Sequence, residues 1–331
     1  MAVAVGLAVL FAFTNGIHDA SNAIAALVAT RAARPLQAVV LAAGFNVLGP
    51  LVVGGAVADT IGGIVTVGGS VGVEVIGAGL LAAVAWNLAT WALGLPSSSG
   101  HALVGGLVGA ALAAGGIDAI QWGGIEGGHP VGVLGTLVAL AAAPVLGATA
   151  AFAAIRGLRR AARRATRRVR GPVAGAEWGL SAALAFSHGA NDAQKSVGVI
   201  AAVLVADGRL DSLASPTWAV VACAVALTAG TALGGWSIVK TVGRRIYRIT
   251  PVDGMATQAA SAGVILSASL VGAPVSTTQV VASSVLGVGG GRRRWRHVNW
   301  AVVRHIALGW IVTMPVTAGL AAVAVSVWRG L

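Results

Sequence analysis

Charged residues and cysteine are scarce in this chain of 331 residues. Only 10% of the residues are charged, whereas 57% are hydrophobic, and the mean hydropathy is +0.87. About a quarter of the residues of a soluble domain are charged, so the composition excludes a soluble globular protein and predicts an integral membrane protein. The single cysteine, Cys223, excludes a disulfide framework and a cysteine-rich metal site.

The few charges are mainly basic and lie in short clusters. The formal net charge is +12, and the arginines and lysines concentrate in 156–170, 240–248 and 292–296, each between apolar segments. Basic clusters that border apolar spans are typical of the cytoplasmic side of a membrane protein. We therefore expect a lipid bilayer around this chain and no nucleic acid partner.

Most apolar segments of the chain are long enough to cross a hydrocarbon core about 30 Å thick. They lie at 2–28, 36–58, 71–95, 101–117, 131–155, 176–206, 217–239, 254–273, 279–290 and 298–328. The short segments 101–117 and 279–290 each follow a proline and a cluster of hydroxyl residues, so each is a candidate half of a re-entrant hairpin. With the N-terminus outside, every basic cluster falls on the cytoplasmic side.

Two polar motifs recur in the same order in the two halves. "GIHDASN" (16–22) aligns with "GANDAQK" (189–195) at an offset of 173 residues. "GLPSSSGHALVGGLVG" (94–109) aligns with "GAPVSTTQVVASSVLG" (272–287) at an offset of 178 residues. Chance is a poor explanation for two matches at nearly the same spacing, so the chain contains an internal repeat.

An odd number of crossings per half, followed by a similar half, predicts repeats of inverted topology. We expect an all-α integral membrane protein with about ten membrane segments in two such repeats, and with broken or re-entrant helices at the substrate site. The N-terminal repeat is 1–155 and the C-terminal repeat is 173–331. A basic cytoplasmic linker over 156–172 joins them in one transport unit.

The first motif of each half places ionisable residues inside an apolar helix. Steps of three and four residues put these groups on one helix face: Asn15, His18, Asp19 and Asn22 in the first half, and His188, Asn191, Asp192 and Lys195 in the second. Ionisable groups within a span are costly and usually mark an ion pathway. The alternative is a structural hydrogen-bond network, but the matching carboxylates favour a transport site.

The second motif predicts the start of a half-helix in each repeat. "PSSSGH" (96–101) and "PVSTTQ" (274–279) each place a helix-starting proline before small hydroxyl residues. A serine or threonine cap leaves free N–H groups and the positive end of the helix dipole, which together bind oxyanions. One such copy indicates ordinary capping, whereas two copies in inverted halves favour an anion site.

These motifs resemble those of the PiT family of inorganic phosphate transporters, most closely its bacterial low-affinity permease branch. "NGIHDASNAIA" (15–25) and "SHGANDAQKSVG" (187–198) look like the two signatures of that branch, and the likeness continues to "RHIALGW" (304–310). The resemblance implies a multi-pass symporter for phosphate in a bacterial plasma membrane, not an enzyme, with no cofactor. A sulfate permease of the same family is the alternative. The sequence does not decide between a monomer and a homodimer.

The resemblance also implies site residues. Asp19, Asn22, Asn191 and Asp192 would line the ion and substrate site, and the phosphate donors would be Ser97, Ser98, Ser99, Ser276, Thr277 and Thr278. The chain departs from the family pattern twice. Gly100 stands where a hydroxyl residue is usual, and Gln279 stands where the family usually has histidine, so the anion donors at these positions differ from those of the family.

The coupling ion is the point on which the two repeats differ. Asn22 is matched by Lys195, whose ammonium offers donors but no acceptor, so it cannot ligate sodium and could take the place of that ion. His18 replaces the asparagine of the other repeat and titrates near neutral pH. We expect proton rather than sodium coupling, with Asp19 and His18 as proton carriers and Asp192 paired with Lys195. Sodium coupling and transport of a metal–phosphate complex are the alternatives.

Overall fold

The fold was obtained as a computed structural model, which describes residues 1–126, 129–164, 170–233, 246–247 and 249–330. Five of the described helices are long and apolar enough to cross a membrane. The prediction of an all-α membrane protein is therefore confirmed. Part of the predicted linker 156–172 and most of the basic stretch 240–248 lie outside the described residues.

The described residues form eleven helices and one short antiparallel β-hairpin. In chain order these are α1 (Ala2–Ala29), α2 (Pro35–Val52), α3 (Ala56–Gly62), α4 (Gly69–Ala92), α5 (Ser99–Gly115), β1 (Gly124–Glu126), β2 (His129–Val131), α6 (Gly132–Ala161), α7 (Arg170–Ala206), α8 (Thr217–Leu233), α9 (Pro251–Leu270), α10 (Thr277–Gly291) and α11 (Trp300–Arg329). Single 3₁₀ turns lie at Ile117–Ala119, Ala162–Arg164 and Trp295–His297. The order α1, α2, α4, α5, α6 is repeated by α7, α8, α9, α10, α11.

Each half contains a helical hairpin with a sharp turn at its tip. In the first hairpin, α4 packs against α5, and in the second, α9 packs against α10. The tips contain Gly94 and Gly272, whose φ values of 65° and 71° lie in the left-handed region that glycine tolerates. Pro96 and Pro274 lie in these tips, and the following helices begin only at Ser99 and Thr277. The expectation that the prolines start the helices was therefore wrong.

The predicted apolar segment 36–58 is divided in the structure. Helix α2 ends at Val52, and Gly54 has a φ of 85°, a value that turns the chain away from the helical path. The short helix α3 then packs on α7, where the Val57 N–H donates to Gln194 Oε1 at 2.9 Å. Gln194 thus supplies the acceptor that a free helix start requires.

Close packing around α1 and α7 brings the two halves together. A β-carbon built on Gly16 of α1 would lie 2.0 Å from Leu227 O of α8, and one on Gly189 of α7 would lie 2.2 Å from Asn46 O of α2. Glycine lets these backbones touch, as is common between helices in lipid. Because α1 and α7 also pack against each other, their polar motifs lie side by side in the interior.

Candidate functional site

Two buried carboxylates, one from each half, meet at the start of α10. Thr277 Oγ1 lies 3.0 Å from Asp192 Oδ2 and 3.4 Å from Asp19 Oδ2. Thr278 Oγ1 donates to Asp19 Oδ1 at 2.6 Å. All four side chains are at most 3% exposed. The structure therefore joins the first motif of both halves to the second motif of the C-terminal half.

The first hairpin reaches the same carboxylates through Ser99. Its hydroxyl lies 3.0 Å from Asp19 Oδ2 and also contacts Asn15 Oδ1. On the opposite side, Asn22 Nδ2 donates to Thr277 Oγ1 at 3.3 Å and to Thr278 Oγ1 at 3.1 Å. The start of α5 and the start of α10 thus converge on Asp19, as expected for two half-helices that share one site.

The imidazole of His18 contacts the carboxyl group of Asp19. Its Nδ1 lies 3.1 Å from Asp19 Oδ1, and its Nε2 lies 3.2 Å from the carbonyl oxygen of Leu95. A carbonyl oxygen only accepts, so Nε2 carries a hydrogen. The hydrogen of the Nδ1–Oδ1 contact then belongs either to the imidazole or to the carboxyl.

The ammonium of Lys195 lies between the two hairpins. It forms an ion pair with Asp192 Oδ1 and donates to Val275 O, in the tip of the second hairpin, at 2.6 Å. A β-carbon built on Gly100, at the start of α5, would lie 3.5 Å from Lys195 Nζ. Lys195 is only 2% exposed, so a fixed positive charge stands among carboxylate and carbonyl oxygens. His188 Nε2 lies 2.9 Å from Asp192 Oδ2.

The predicted hydroxyl donors separate into two groups. Ser98 Oγ accepts from the His101 N–H at 3.2 Å, and Ser276 Oγ accepts from the Gln279 N–H at 3.4 Å, so both act as helix caps. Ser97 Oγ donates to Thr90 Oγ1 at 3.2 Å and does not contact a carboxylate. Only Ser99, Thr277 and Thr278 among the six contact the acidic side chains.

Three buried amide atoms at the site have no hydrogen-bond partner among the described residues. They are Asn15 Nδ2, Asn22 Oδ1 and Asn191 Oδ1. The other amide atom of Asn191, Nδ2, donates to Ser269 Oγ at 3.0 Å and to Ala273 O at 3.3 Å, which fixes the orientation of this side chain. Buried polar atoms are nearly always paired. These atoms are therefore available to a ligand as one donor and two acceptors.

Sequence reasoning did not identify three polar residues that support the site. Thr90 Oγ1 lies 3.2 Å from His18 Nε2. Ser269 Oγ accepts a hydrogen bond from Asn191 Nδ2, and Asn46 Oδ1 lies 3.1 Å from His188 Nδ1. Asn46 also donates to Thr231 at 3.0 Å. A lone asparagine within the apolar segment 36–58 was the available signal, because an amide in a span needs a partner.

Comparison with known proteins decides the family. A model of the phosphate transporter family matches the chain twice, over residues 15–176 and 159–321. The chain belongs to this family. The resemblance of its four motifs is thereby confirmed, and the two matches cover all of the residues placed at the site.

Relatives from this family align over nearly the whole chain. A probable low-affinity inorganic phosphate transporter of Mycobacterium bovis is 40% identical, over 96% of this chain and 75% of the relative. The Bacillus subtilis protein of the same description is 38% identical, over 96% of this chain and 93% of the relative. A solved structure titled the sodium-dependent phosphate transporter is 25% identical with a TM-score of 0.86, over 99% of this chain and 98% of that one. The expectation of a transporter and not an enzyme is confirmed.

In this family member the site also offers three ligands of a kind suited to a cation. One oxygen each from Asp19 and Asp192 and one nitrogen from His188 lie within 4.8 Å of one another. Carboxylate and imidazole groups bind divalent metals when deprotonated and hold protons otherwise.

Proposed function

We propose that the protein is a secondary active symporter that carries inorganic phosphate together with protons across a bacterial plasma membrane. The N-terminus faces outward and the linker 156–172 faces the cytoplasm. Family membership and the descriptions of the relatives support phosphate as substrate. The observation that carries the proposal is the buried cluster of two carboxylates, one ammonium and three hydroxyl groups at the tips of the hairpins.

The charges of this cluster favour a co-transported cation. Asp19 and Asp192 against Lys195 leave one excess negative charge while the histidines are neutral. An anion cannot enter such a buried site unless positive charge enters with it, because isolated buried charges cost many kcal/mol. This electrostatic argument supports coupling of phosphate binding to cation binding.

Phosphate fits the unpaired acceptors better than sulfate does. At neutral pH phosphate carries at least one O–H group, whereas sulfate carries none. Asn22 Oδ1 and Asn191 Oδ1 lack donors among the described residues, and a phosphate O–H can supply one. Sulfate would leave both oxygens unpaired, at a cost of about 1–3 kcal/mol for each.

The environment of Lys195 favours protons over sodium as the coupling ion. Its ammonium already binds Asp192 and Val275 O, the kinds of oxygen that would ligate a sodium ion. The neighbour of known structure is described as sodium-dependent, so replacement of one cation by a tethered ammonium is a specific difference to test. His18 and Asp19 supply the proton position that this mechanism needs.

A metal–phosphate complex is the second candidate cargo. The grouping of Asp19, His188 and Asp192 within 4.8 Å favours it, because a divalent cation would neutralise both carboxylates and the substrate at once. Uptake of labelled calcium that requires phosphate, at a fixed ratio to it, would support this cargo. Phosphate uptake at full rate in the presence of a chelator would exclude it.

The proposed function is tested by uptake into proteoliposomes. An inward proton gradient without sodium should drive accumulation of labelled phosphate, and excess sulfate should compete far less than unlabelled phosphate. Lys195→Asn removes the tethered cation and adds an amide oxygen, so uptake by this variant should become dependent on sodium. Arg209→Asn, which removes an exposed cation paired with Asp207, is the control. Equal competition by sulfate would overturn the substrate, and unchanged ion dependence in Lys195→Asn would overturn the role of the ammonium.

A further inference from the structure

Glu177 is a buried carboxyl group that the proposed site does not use. It lies on α7, about three helical turns or 16 Å before His188, and is only 1% exposed. Steps of three or four residues connect it through Ser181 and Leu184 to His188 and Asp192, so all five share one helix face. This face leads from the site toward the basic, cytoplasmic end of the helix.

Three helices enclose the carboxyl group. A β-carbon built on Gly254 of α9 would lie 2.6 Å from Glu177 Oε1 and 3.2 Å from Cγ2 of Thr30, the residue that follows α1. The next turn of α7 is bound to α1 as well, because Ser181 Oγ donates to Ala23 O at 2.7 Å. Glycine at 254 therefore leaves room for the carboxyl group on that side.

The described surroundings of Glu177 provide no compensating cation. Its Oε1 has no hydrogen-bond partner, and no described lysine or arginine forms an ion pair with it. Arg31, the first charged residue after α1, is exposed. On α9 the adjacent Asp253 is bound to Arg292 at 2.6 Å. Thr30, a neutral side chain, hydrogen-bonds to the carboxyl group of Glu177, whereas Asp253 is bound by a cation.

A second unpaired polar group lies along the same contact between α7 and α9. Gln258 follows Gly254 by one helical turn, is fully buried, and has no partner for either atom of its amide among the described residues. Farther along this face of α9, Ser269 Oγ accepts a hydrogen bond from Asn191 of the site. Polar groups thus lie at both ends of the contact, from the substrate site to Glu177.

We infer that Glu177 is the residue that takes the proton from the site on its way to the cytoplasm, which rests on the proton coupling proposed above. Buried without a cation, the group is accommodated as the neutral acid, and it becomes a stable carboxylate only when water reaches it. Opening of the contact between α1, α7 and α9 supplies that water. Glu177 then releases its proton to cytoplasmic water and becomes a carboxylate, and the proton that leaves the site protonates this carboxylate again.

The test compares net uptake with exchange in proteoliposomes. Glu177→Gln keeps the shape but cannot release a proton, so proton-driven net uptake of phosphate should fall about 100-fold, a typical loss for a positioned proton-transfer group. Exchange of internal for external phosphate, which requires no net proton release, should continue near the wild-type rate. Glu177→Asp should recover part of the net uptake. Glu74→Gln, which removes a partly exposed carboxylate paired with Arg329, should leave both rates unchanged.

Each other result overturns the inference in a distinguishable way. Wild-type net uptake in Glu177→Gln would show that the proton does not pass through this residue. Loss of both net uptake and exchange, without recovery in Glu177→Asp, would show a structural role. If phosphate uptake by the wild-type protein moves no protons, the proposed coupling fails first, and the role of Glu177 fails with it.

Discussion

Thr277 offers the sharpest test of the site, because its hydroxyl group bridges the two halves. In Thr277→Val the side chain keeps its shape but loses the contacts to Asp192 at 3.0 Å and to Asn22 at 3.3 Å. The cap of α10 is Ser276, so the helix should still form. As a predicted phosphate donor, this hydroxyl group would make a hydrogen bond to the charged substrate. Such a bond contributes about 1.5–3 kcal/mol, and 1.4 kcal/mol corresponds to a factor of ten. The KM for phosphate should therefore rise by about 10- to 100-fold.

The assay is initial uptake of labelled phosphate into proteoliposomes over a range of concentrations. Thr136→Val is the matched control, because Thr136 is also fully buried but donates to Gly132 O of its own helix at 3.0 Å. Its KM should stay within about twofold of wild type, since only a hydrogen bond within a helix is lost. An unchanged KM in Thr277→Val, with normal insertion, would refute the assignment of this hydroxyl group to substrate binding.

Two further predictions concern the hydroxyl groups and the topology. Ser99→Ala should raise the KM for phosphate. Ser98→Ala should instead lower the free energy of unfolding by about 1 kcal/mol, as for loss of a helix cap, and should change the KM less. The reverse pattern would contradict the separation into donors and caps. In a Cys223→Ser background, a cysteine at Ala162 should resist impermeant thiol reagents on intact cells and one at Ser212 should react. Reaction at Ala162 alone would overturn the proposed orientation.

Helical periodicity within the first motifs predicted much of the site. Asn15, Asp19 and Asn22 share a face of α1, and the internal repeat indicated that the matching face of α7 should meet it. This was predictable because a polar face inside an apolar helix has few alternatives to burial against another polar face. The structure indeed brings Asp19 and Asp192 to the same threonine.

The identity of the helix caps could not be predicted from sequence. Three consecutive serines, Ser97 to Ser99, each have a hydroxyl group that can cap a helix, and the choice depends on which residue has the extended backbone before the first turn. Ser98 has that conformation, with φ of −116° and ψ of 107°. A shift of one residue decides whether a hydroxyl group caps the helix or faces a carboxylate.

Contacts between distant segments were also beyond the sequence. Asn46 meets His188 because glycines allow α2 and α7 to pack closely, and nothing in the local pattern specifies that pairing. The bend at Gly54 likewise depends on the docking of α3 onto Gln194. Such features arise from packing of whole helices rather than from periodicity.

The central claim is that phosphate and protons cross the membrane together. It is tested most directly by a pH-sensitive dye enclosed in proteoliposomes, without sodium on either side and without an imposed pH gradient. Addition of external phosphate should acidify the lumen in the wild-type protein, and Asp19→Asn should abolish this signal, because the proton shared with His18 is lost. No acidification by the wild-type protein, together with uptake of phosphate when a sodium gradient is supplied, would contradict the account.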